Sequence, residues 1–253
     1  MERPSVVLSA DELRDEPYAS VLCYPRAEAS EIERRISELK ALGVTHIEFS
    51  GSGLAGEMPV LGKGYVGVVV IAYIGDERLA LKMRRIDGGR ESFFHEAEML
   101  QTANAAGVGP RFSAVSENFL LSQIIGGGTL AEWMRINKKK TAFRNVLKDI
   151  LEQCRRLDDA GLDHGELSKA PKHILMHTDG TPYIIDFETA SANRKASIVS
   201  SVCQFLFLSN SDASKLIREV LGDREREQIL KAARDHKRER SKETFEALLR
   251  ACI

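Results

Sequence analysis

A glycine-rich loop followed by a lysine on an apolar strand constrains this chain more than any other feature. Lys82 ends the apolar run 79–82, and the loop has the sequence Gly62-Lys63-Gly64-Tyr65-Val66-Gly67-Val68-Val69. No helix follows the loop at once, which excludes a dinucleotide-binding fold, and no Gly-Lys-Ser or Gly-Lys-Thr sequence occurs, which excludes a Walker loop. Because glycines let backbone N–H groups approach phosphates and Lys82 adds a positive charge, we predict a nucleotide site, with a plain hairpin turn as the alternative.

The composition indicates an ordinary globular protein of 253 residues, 43% hydrophobic and 29% charged. A net charge of −1 gives no overall attraction to nucleic acid, so DNA is not an expected partner and any RNA contact must come from local patches. No apolar run approaches the roughly 20 residues of a membrane helix, and no signal-peptide core follows Met1-Glu2-Arg3-Pro4, so we expect a cytoplasmic protein without a membrane partner. The four cysteines have no paired spacing and predict neither a zinc site nor a disulfide framework.

We predict three regions along the chain: an N-terminal strand–helix–strand extension (1–56), a β-rich lobe (57–125) and a helical lobe (126–253). Within the extension, residues 20–24 are a strand candidate, and Ser30-Glu31-Ile32-Glu33 is typical of a capping box that starts a helix ending at Gly43. Residues 45–49 alternate in polarity like an edge strand.

Apolar spacing predicts further helices over 91–105, 141–160 and 197–208, and a helical tail broken at Gly222. A buried strand is predicted over 119–125, followed by three glycines and a helix start.

A second polar segment lies between the helix over 141–160 and the tail. It contains Asp163, His164, Glu166 and His173, then a turn and the sequence Ile184-Ile185-Asp186-Phe187-Glu188. With the glycine loop, Lys82 and a helix glutamate, these motifs stand in the order found in protein kinases. The chain resembles the protein-kinase-like superfamily over about residues 58–210, and more closely its small atypical archaeal branch. That branch includes the RIO kinases and the kinase of the KEOPS tRNA-modification complex.

The resemblance implies a bilobal α+β kinase fold, with a β-rich N-lobe and a short helical C-lobe, that binds ATP and Mg²⁺ between the lobes. Lys82 would position the α and β phosphates and pair with Glu96, for which Glu98 is the competing choice. Residues 122–125, including Gln123 and Ile125, would line the adenine site through their backbone, or would form only a flexible linker.

The same resemblance assigns the catalytic roles. Asp186, alone or with Glu188, would hold the metal, and Glu166 would orient or deprotonate the attacking hydroxyl. His164 would hold the catalytic loop by hydrogen bonds, and Asp163 is the fallback base.

Three positions depart from the kinase pattern. Glu166 stands where kinases have Asp, and Glu188 replaces the glycine of Asp-Phe-Gly. The position of the metal-binding Asn is Pro171, so we align His173 with that Asn across a two-residue insertion. Because Mg²⁺ prefers oxygen ligands, His173 is a poor replacement, and it would instead contact phosphate or be an ordinary strand residue.

Tyr24-Pro25, the extension helix and three short motifs resemble one archaeal family, first labelled as predicted serine/threonine kinases. The motifs are 59–64 (PVLGKG), 172–174 (KHI) and 184–188 (IIDFE). Members of that family use ATP to phosphorylate an internal ribose 2′-hydroxyl of tRNA, which makes tRNA the implied partner.

Basic residues after Asp186 fit that implication in part. Arg194 and Lys195 follow the acid directly, and the tail carries Arg224, Arg226, Lys231, Arg234, Lys237, Arg238, Arg240 and Lys242. The interleaved acids equally fit solvated helices with i,i+4 pairs. The missing Ala-Pro-Glu motif argues against a peptide substrate. A RIO-type serine/threonine kinase, a pseudokinase scaffold and a small-molecule kinase of the aminoglycoside or choline type remain the rival hypotheses.

Overall fold

An antiparallel sheet forms the first part of the chain, and helices form most of the rest. The structure is a computed structural model that describes residues 4–253, and the side chains of all of these except 169–171. The chain falls into two units. Unit 1 comprises the residues up to Glu98 together with Arg111–Ile124, and unit 2 comprises Met99–Pro110 and Ile125–Ile253. The predicted α+β class, with a β-rich N-terminal part and a helical C-terminal part, is confirmed.

The main sheet of unit 1 has the strand order β1-β2-β6-β7-β9-β8, with β5 also pairing with β6. A separate hairpin pairs β3 with β4. The strands are β1 (Val6–Ser9), β2 (His46–Phe49), β3 (Gly53–Ala55), β4 (Met58–Val60), β5 (Gly62–Lys63), β6 (Gly67–Ile74), β7 (Glu77–Arg84), β8 (Phe112–Val115) and β9 (Phe119–Gln123).

The two-residue period of β7 decides where Lys82 points. Leu79, Leu81 and Met83 are buried in the larger apolar cluster of the unit. Since successive side chains of a strand alternate between faces, Lys82 lies on the opposite face. In the ladder it is opposite Val69 of β6.

The N-terminal extension is built into this unit, and three of its predicted features are wrong. Residues 20–24 are not a strand, because Tyr18–Leu22 forms helix α1. Helix α2 (Ala29–Ala41) starts after Glu28, so Ser30 does not cap it. Strand β2 is an inner strand rather than an edge strand, since β1 pairs with one side of it and β6 with the other.

A buried arginine connects the extension to the sheet. The Arg35 guanidinium is fully buried and donates to the carbonyl oxygens of Leu22 (2.7 Å) and Arg84 (2.6 Å). It also donates to Asn118 Oδ1 (3.1 Å) and to the Glu31 carboxylate (2.6 Å). Four acceptors from separate segments thus depend on one cation, and removing a buried charge partner of this kind typically costs about 3–5 kcal/mol.

Unit 2 is mainly helical. Its elements are α4 (Leu130–Ile136), α5 (Lys140–Asp159), the 3₁₀ segment Leu167–Lys172, β10 (Ile174–Met176), β11 (Pro182–Ile184), α6 (Ile198–Cys203), a π-helical turn (Gln204–Leu208), α7 (Asp212–Leu221), α8 (Arg226–Glu239) and α9 (Lys242–Cys252). The predicted helix over 197–208 therefore changes type after Cys203, and the break at Gly222 is confirmed. Helix α3 spans Phe94–Ala105, three residues shorter than predicted.

The start of α6 is held by an acid on α5. The buried Asp158 carboxylate accepts the backbone N–H groups of Ile198 (2.7 Å) and Val199 (3.1 Å). These bonds satisfy two of the donors that a helix leaves open at its first turn. None of the helices in the described part of the chain is both long and apolar enough to cross a bilayer.

Candidate active site

Lys82 forms an ion pair with Glu96 inside unit 1. Its ammonium group lies 2.8 Å and 2.9 Å from the two oxygens of the Glu96 carboxylate, and 5.5 Å from the centre of the Phe93 ring. Both side chains are mostly buried, with 16% and 8% of their surface exposed. The predicted pairing with Glu96 is therefore present, whereas Glu98 is exposed. Charge-assisted bonds to both oxygens fix the position of the ammonium group.

The glycine loop is a tight hairpin with open space beside it. The Gly64 N–H donates to the carbonyl oxygen of Gly67 (2.8 Å). A Cβ atom on Gly67 would lie 3.0 Å from Lys82 Cγ, which explains the need for glycine there. On Gly62, by contrast, a Cβ atom would meet no described atom within 4 Å. That space would admit a ligand close to the backbone.

Sequence reasoning missed a polar group around this loop. Arg85 donates to the carbonyl oxygen of Gly64 (2.9 Å) and forms an ion pair with Asp87 (2.8 Å). Lys63 Nζ lies 3.4 Å from the hydroxyl oxygen of Tyr24, which belongs to the N-terminal extension. Tyr65, at the tip of the loop, is 75% exposed.

The segment expected at the adenine is held at both ends by hydrogen bonds. The backbone N–H of Gln123 donates to the carbonyl oxygen of Arg111 (2.8 Å) within unit 1, which leaves this donor occupied. In unit 2, Ile125 is half-buried, and Gly127 has a φ of 144° with Met176 against it. The Met176 N–H donates to the carbonyl oxygen of Gly128 (2.8 Å). Gly127 and Gly128 thus contact Met176 of the β10 strand.

His164, which belongs to the second polar segment in unit 2, is completely buried. Its Nε2 lies 3.0 Å from the carbonyl oxygen of Ile185, next to Asp186. Burial lowers the pKa of His164, so the ring is neutral at pH 7 and its Nε2–H donates to that carbonyl. Its Nδ1 has no hydrogen-bond partner among the described residues. This geometry suits the predicted loop-holding role.

Glu166, His173 and Asp186 come together in unit 2. His173 is buried, and its Nε2 lies 3.1 Å from Glu166 Oε2 while its Nδ1 lies 3.7 Å from Asp186 Oδ2. Asp186 has a φ of 69°, a left-handed conformation that side chains other than those of Asn and Asp rarely adopt. A ring that faces two carboxylates is not an ordinary strand residue, so this alternative for His173 is disfavoured.

Asp163, the fallback base, has another role. Its Oδ2 lies 2.9 Å from Arg194 Nε, and its backbone pairs with Ser191. Arg194 also donates to the carbonyl oxygen of Thr189, whose hydroxyl donates to the carbonyl oxygen of His164 (3.0 Å). The Arg194 side chain is exposed and also holds the loop through these contacts, and its expected contact with RNA stays a prediction. No sequence motif indicates these contacts, because they link residues far apart in the chain.

The tail cations are largely engaged within unit 2. Arg224 donates to the carbonyl oxygen of Ile253 (3.0 Å), and Arg226 to that of Leu208 (2.8 Å). Arg240 donates to the carbonyl oxygens of Asp158 and Ala196, with Asp158 3.2 Å away. These contacts favour the structural alternative for the tail. Lys231, Arg234 and Lys237 are exposed.

The donor set of the unit 2 cluster matches Mg²⁺ only in part. One ligand atom each from Glu166, His173 and Asp186 lies within 4.8 Å of the other two. Mg²⁺ demands near-octahedral oxygen ligands, which the two carboxylates supply and the imidazole does not. Glu188 lies two residues beyond Asp186 and is half-buried. As a three-residue set, the cluster therefore does not fit Mg²⁺.

Comparison with protein families gives a match over the candidate site. The profile of the RIO domain family matches residues 68–197, a little more than half of the chain. The matched segment starts just after the last loop glycine and contains Lys82, Glu96, His164, Glu166 and Asp186. No curated protein matches the chain.

Proposed function

The chain belongs to the RIO domain family, and we propose that it is an ATP-dependent kinase whose acceptor is an internal ribose 2′-hydroxyl of tRNA. The observation that carries the kinase part is the buried pair of Lys82 and Glu96. An ammonium held by a carboxylate on a neighbouring helix is the arrangement with which kinases bind the nucleotide phosphates.

The proposal gives Lys82 the task of neutralising the phosphates. Its contact with Glu96 holds the ammonium group in one place before ATP arrives. Such preorganisation lowers the barrier because no group has to rearrange as charge moves during transfer.

Glu166 is the proposed group that receives the acceptor proton. Its side chain is 42% exposed, so an incoming hydroxyl can reach it, and the buried His173 ring holds one of its oxygens. As the hydroxyl oxygen attacks the γ-phosphorus, the bond to the β–γ bridging oxygen breaks, ADP leaves, and the hydroxyl proton passes to the Glu166 carboxylate. Positioned carboxylates of this kind contribute about 10²–10⁴-fold in rate.

The short connection after the acidic motif supports an acceptor other than a folded peptide. Helix α6 begins at Ile198, so only residues 189–197 follow Glu188 before it. Arg194 and Thr189 of this connection bind to the loop that carries His164. This leaves no long activation segment on which a peptide would dock. The ribose acceptor itself rests on the sequence resemblance to RNA kinases.

Labelling with [γ-³²P]ATP tests the proposal. The enzyme is incubated with total tRNA, with total protein, or alone, and the tRNA label is mapped as a nuclease-resistant 2′-phosphate. A synthetic tRNA with a 2′-deoxy residue at the mapped position should take no label. Label found only on protein would replace the RNA acceptor with a protein acceptor, and the absence of label on any substrate would favour the pseudokinase hypothesis.

A further inference from the structure

The cluster of Glu166, His173 and Asp186 has a ligand chemistry of its own. The three side chains come from separate segments of unit 2: the loop after α5, the residue before β10, and the residues after β11. His173 is fixed, with 11% of its side chain exposed, whereas Glu166 and Asp186 keep 42% and 30% exposed. A rigid imidazole between two accessible carboxylates is a donor set open to a small cation.

From this donor set we infer that the cluster binds a first-row transition-metal ion, of the Mn²⁺ type, in preference to Mg²⁺. Imidazole nitrogen is a ligand for transition metals, while Mg²⁺ selects oxygen and gives up its water reluctantly. Mn²⁺ accepts both carboxylate oxygen and imidazole nitrogen. The departure from the kinase pattern at His173 then becomes a determinant of metal choice.

The spacing of the ligand atoms suits this inference. Opposite ligands of a six-coordinate ion with bonds of about 2.1 Å are roughly 4.2 Å apart, and adjacent ligands roughly 3 Å. The ligand atoms of the three residues lie within 4.8 Å of one another, which is close to the span of opposite ligands around one ion. The two carboxylates also give the cluster negative charge that a divalent cation would offset.

A metal-free role is the competing explanation for the same contacts. In that case His173 only positions Glu166 through the 3.1 Å contact of its Nε2. The two explanations differ in a directly observable way, because only the first places a ring nitrogen on a metal.

Electron paramagnetic resonance of Mn²⁺, without nucleotide, decides between them. Metal-free protein is titrated with Mn²⁺, the free ion is measured, and pulsed spectra are searched for ¹⁴N coupling from a bound imidazole. We expect Mn²⁺ to bind at least tenfold more tightly than Mg²⁺, measured by competition, with clear nitrogen coupling. His173→Asn should remove the coupling and reduce the preference for Mn²⁺ about tenfold, because it replaces the nitrogen ligand with an oxygen.

The chain offers a matched control. His177 lies on the same hairpin with its Nδ1 3.1 Å from Asp179, outside the cluster, so His177→Asn should leave both readouts unchanged. If His173→Asn fails to fold, ¹⁵N-histidine labelling of the unaltered protein replaces it, and the coupling should change from ¹⁴N to ¹⁵N. Absence of nitrogen coupling, or equal Mn²⁺ affinity with and without His173, would overturn the inference in favour of the positioning role.

The inference deepens the proposed function: one Glu166 oxygen would bind the ion and leave the other to receive the acceptor proton. Only the activity measurement below rests on that function. If the enzyme transfers phosphate, the ratio of Mn²⁺-supported to Mg²⁺-supported rates should fall in His173→Asn. If no transfer occurs, the proposed function fails while the metal site is still decided by the spectra.

Discussion

Unit 1 and unit 2 position their candidate functional groups in different ways. Lys82 lies on a regular strand and Glu96 in the first turn of a regular helix, and the pair is almost closed to solvent. Glu166 and Asp186 lie in irregular segments, and each contacts the same buried histidine. The first arrangement follows from the periods of strand and helix, so a sequence motif can specify it. The second depends on loop contacts between residues distant in the chain, and local sequence specifies these poorly.

Lys82→Ala should have the largest effect on activity. Losing the fixed positive charge should lower kcat/KM about a thousandfold, equivalent to about 4 kcal/mol of transition-state stabilisation. Lys148→Ala, which removes an exposed lysine on α5, serves as the control and should stay within twofold. Steady-state kinetics with labelled ATP would measure both. Full activity of Lys82→Ala would contradict the proposal that Lys82 binds the nucleotide phosphates.

A comparison of the activities of Glu96→Gln and Glu98→Gln tests which glutamate pairs with Lys82. The first change removes the charge that fixes Lys82 and should cost about a hundredfold in rate, while the second alters an exposed position and should cost little. Equal losses in the two variants would contradict the pairing.

Gly165→Ala should show how strongly the unit 2 loop depends on its own packing. Gly165 has a φ of 85°, and an added Cβ atom would lie 2.8 Å from Thr189 Oγ1 and 2.9 Å from its carbonyl oxygen. We expect a loss of about 2–3 kcal/mol in the free energy of unfolding, measured by urea denaturation. Gly161→Ala is the matched control, since Gly161 has a φ of 70° but no described atom within 4 Å of an added Cβ. It should lose only about 1 kcal/mol. Equal losses would mean that the contacts with Thr189 contribute nothing.

The smallest effect should be a pH dependence of the free energy of unfolding that arises from two buried histidines of unit 2. Burial lowers the pKa of His164 and His236 below the ordinary value of 6.5. Below pH 6.5 these two histidines therefore bind more protons in the unfolded chain than in the folded protein. Stability should therefore fall as the pH falls, by up to about 1.4 kcal/mol per pH unit for each histidine. His236→Gln should flatten this slope in urea titrations between pH 5 and 8.

The raised pKa of Asp158 acts with the opposite sign. Because His236 and Asp158 influence each other's pKa, the difference between the two proteins reports the histidine together with its effect on Asp158. An unchanged slope in His236→Gln would show that this ring does not titrate on unfolding.

Sequence reasoning succeeded for the ion pair between regular elements of unit 1 and failed for the loop contacts of Asp163 in unit 2. The resemblance to protein kinases, together with the 14-residue separation from Lys82 to Glu96, predicted the ion pair that the structure contains. The role of Asp163 was not predictable, because its partner Arg194 is 31 residues away and reaches it only through the folded loop. Strand β2 was taken for an edge strand because alternation in one segment does not reveal a second pairing partner. Confirmation of the α+β class needed only the order of the elements.

The inner position of β2 also determines what a shortened version of this protein would lose. A fragment without the first 56 residues would lose β1, β2 and the Arg35 contacts together, and the β2-facing side of β6 would be left bare. Unpaired backbone along β6, which is rich in Val and Ile, would favour pairing with a second chain. A truncated version would therefore tend to aggregate. In the full chain, the extension prevents this because β2 covers that side of β6.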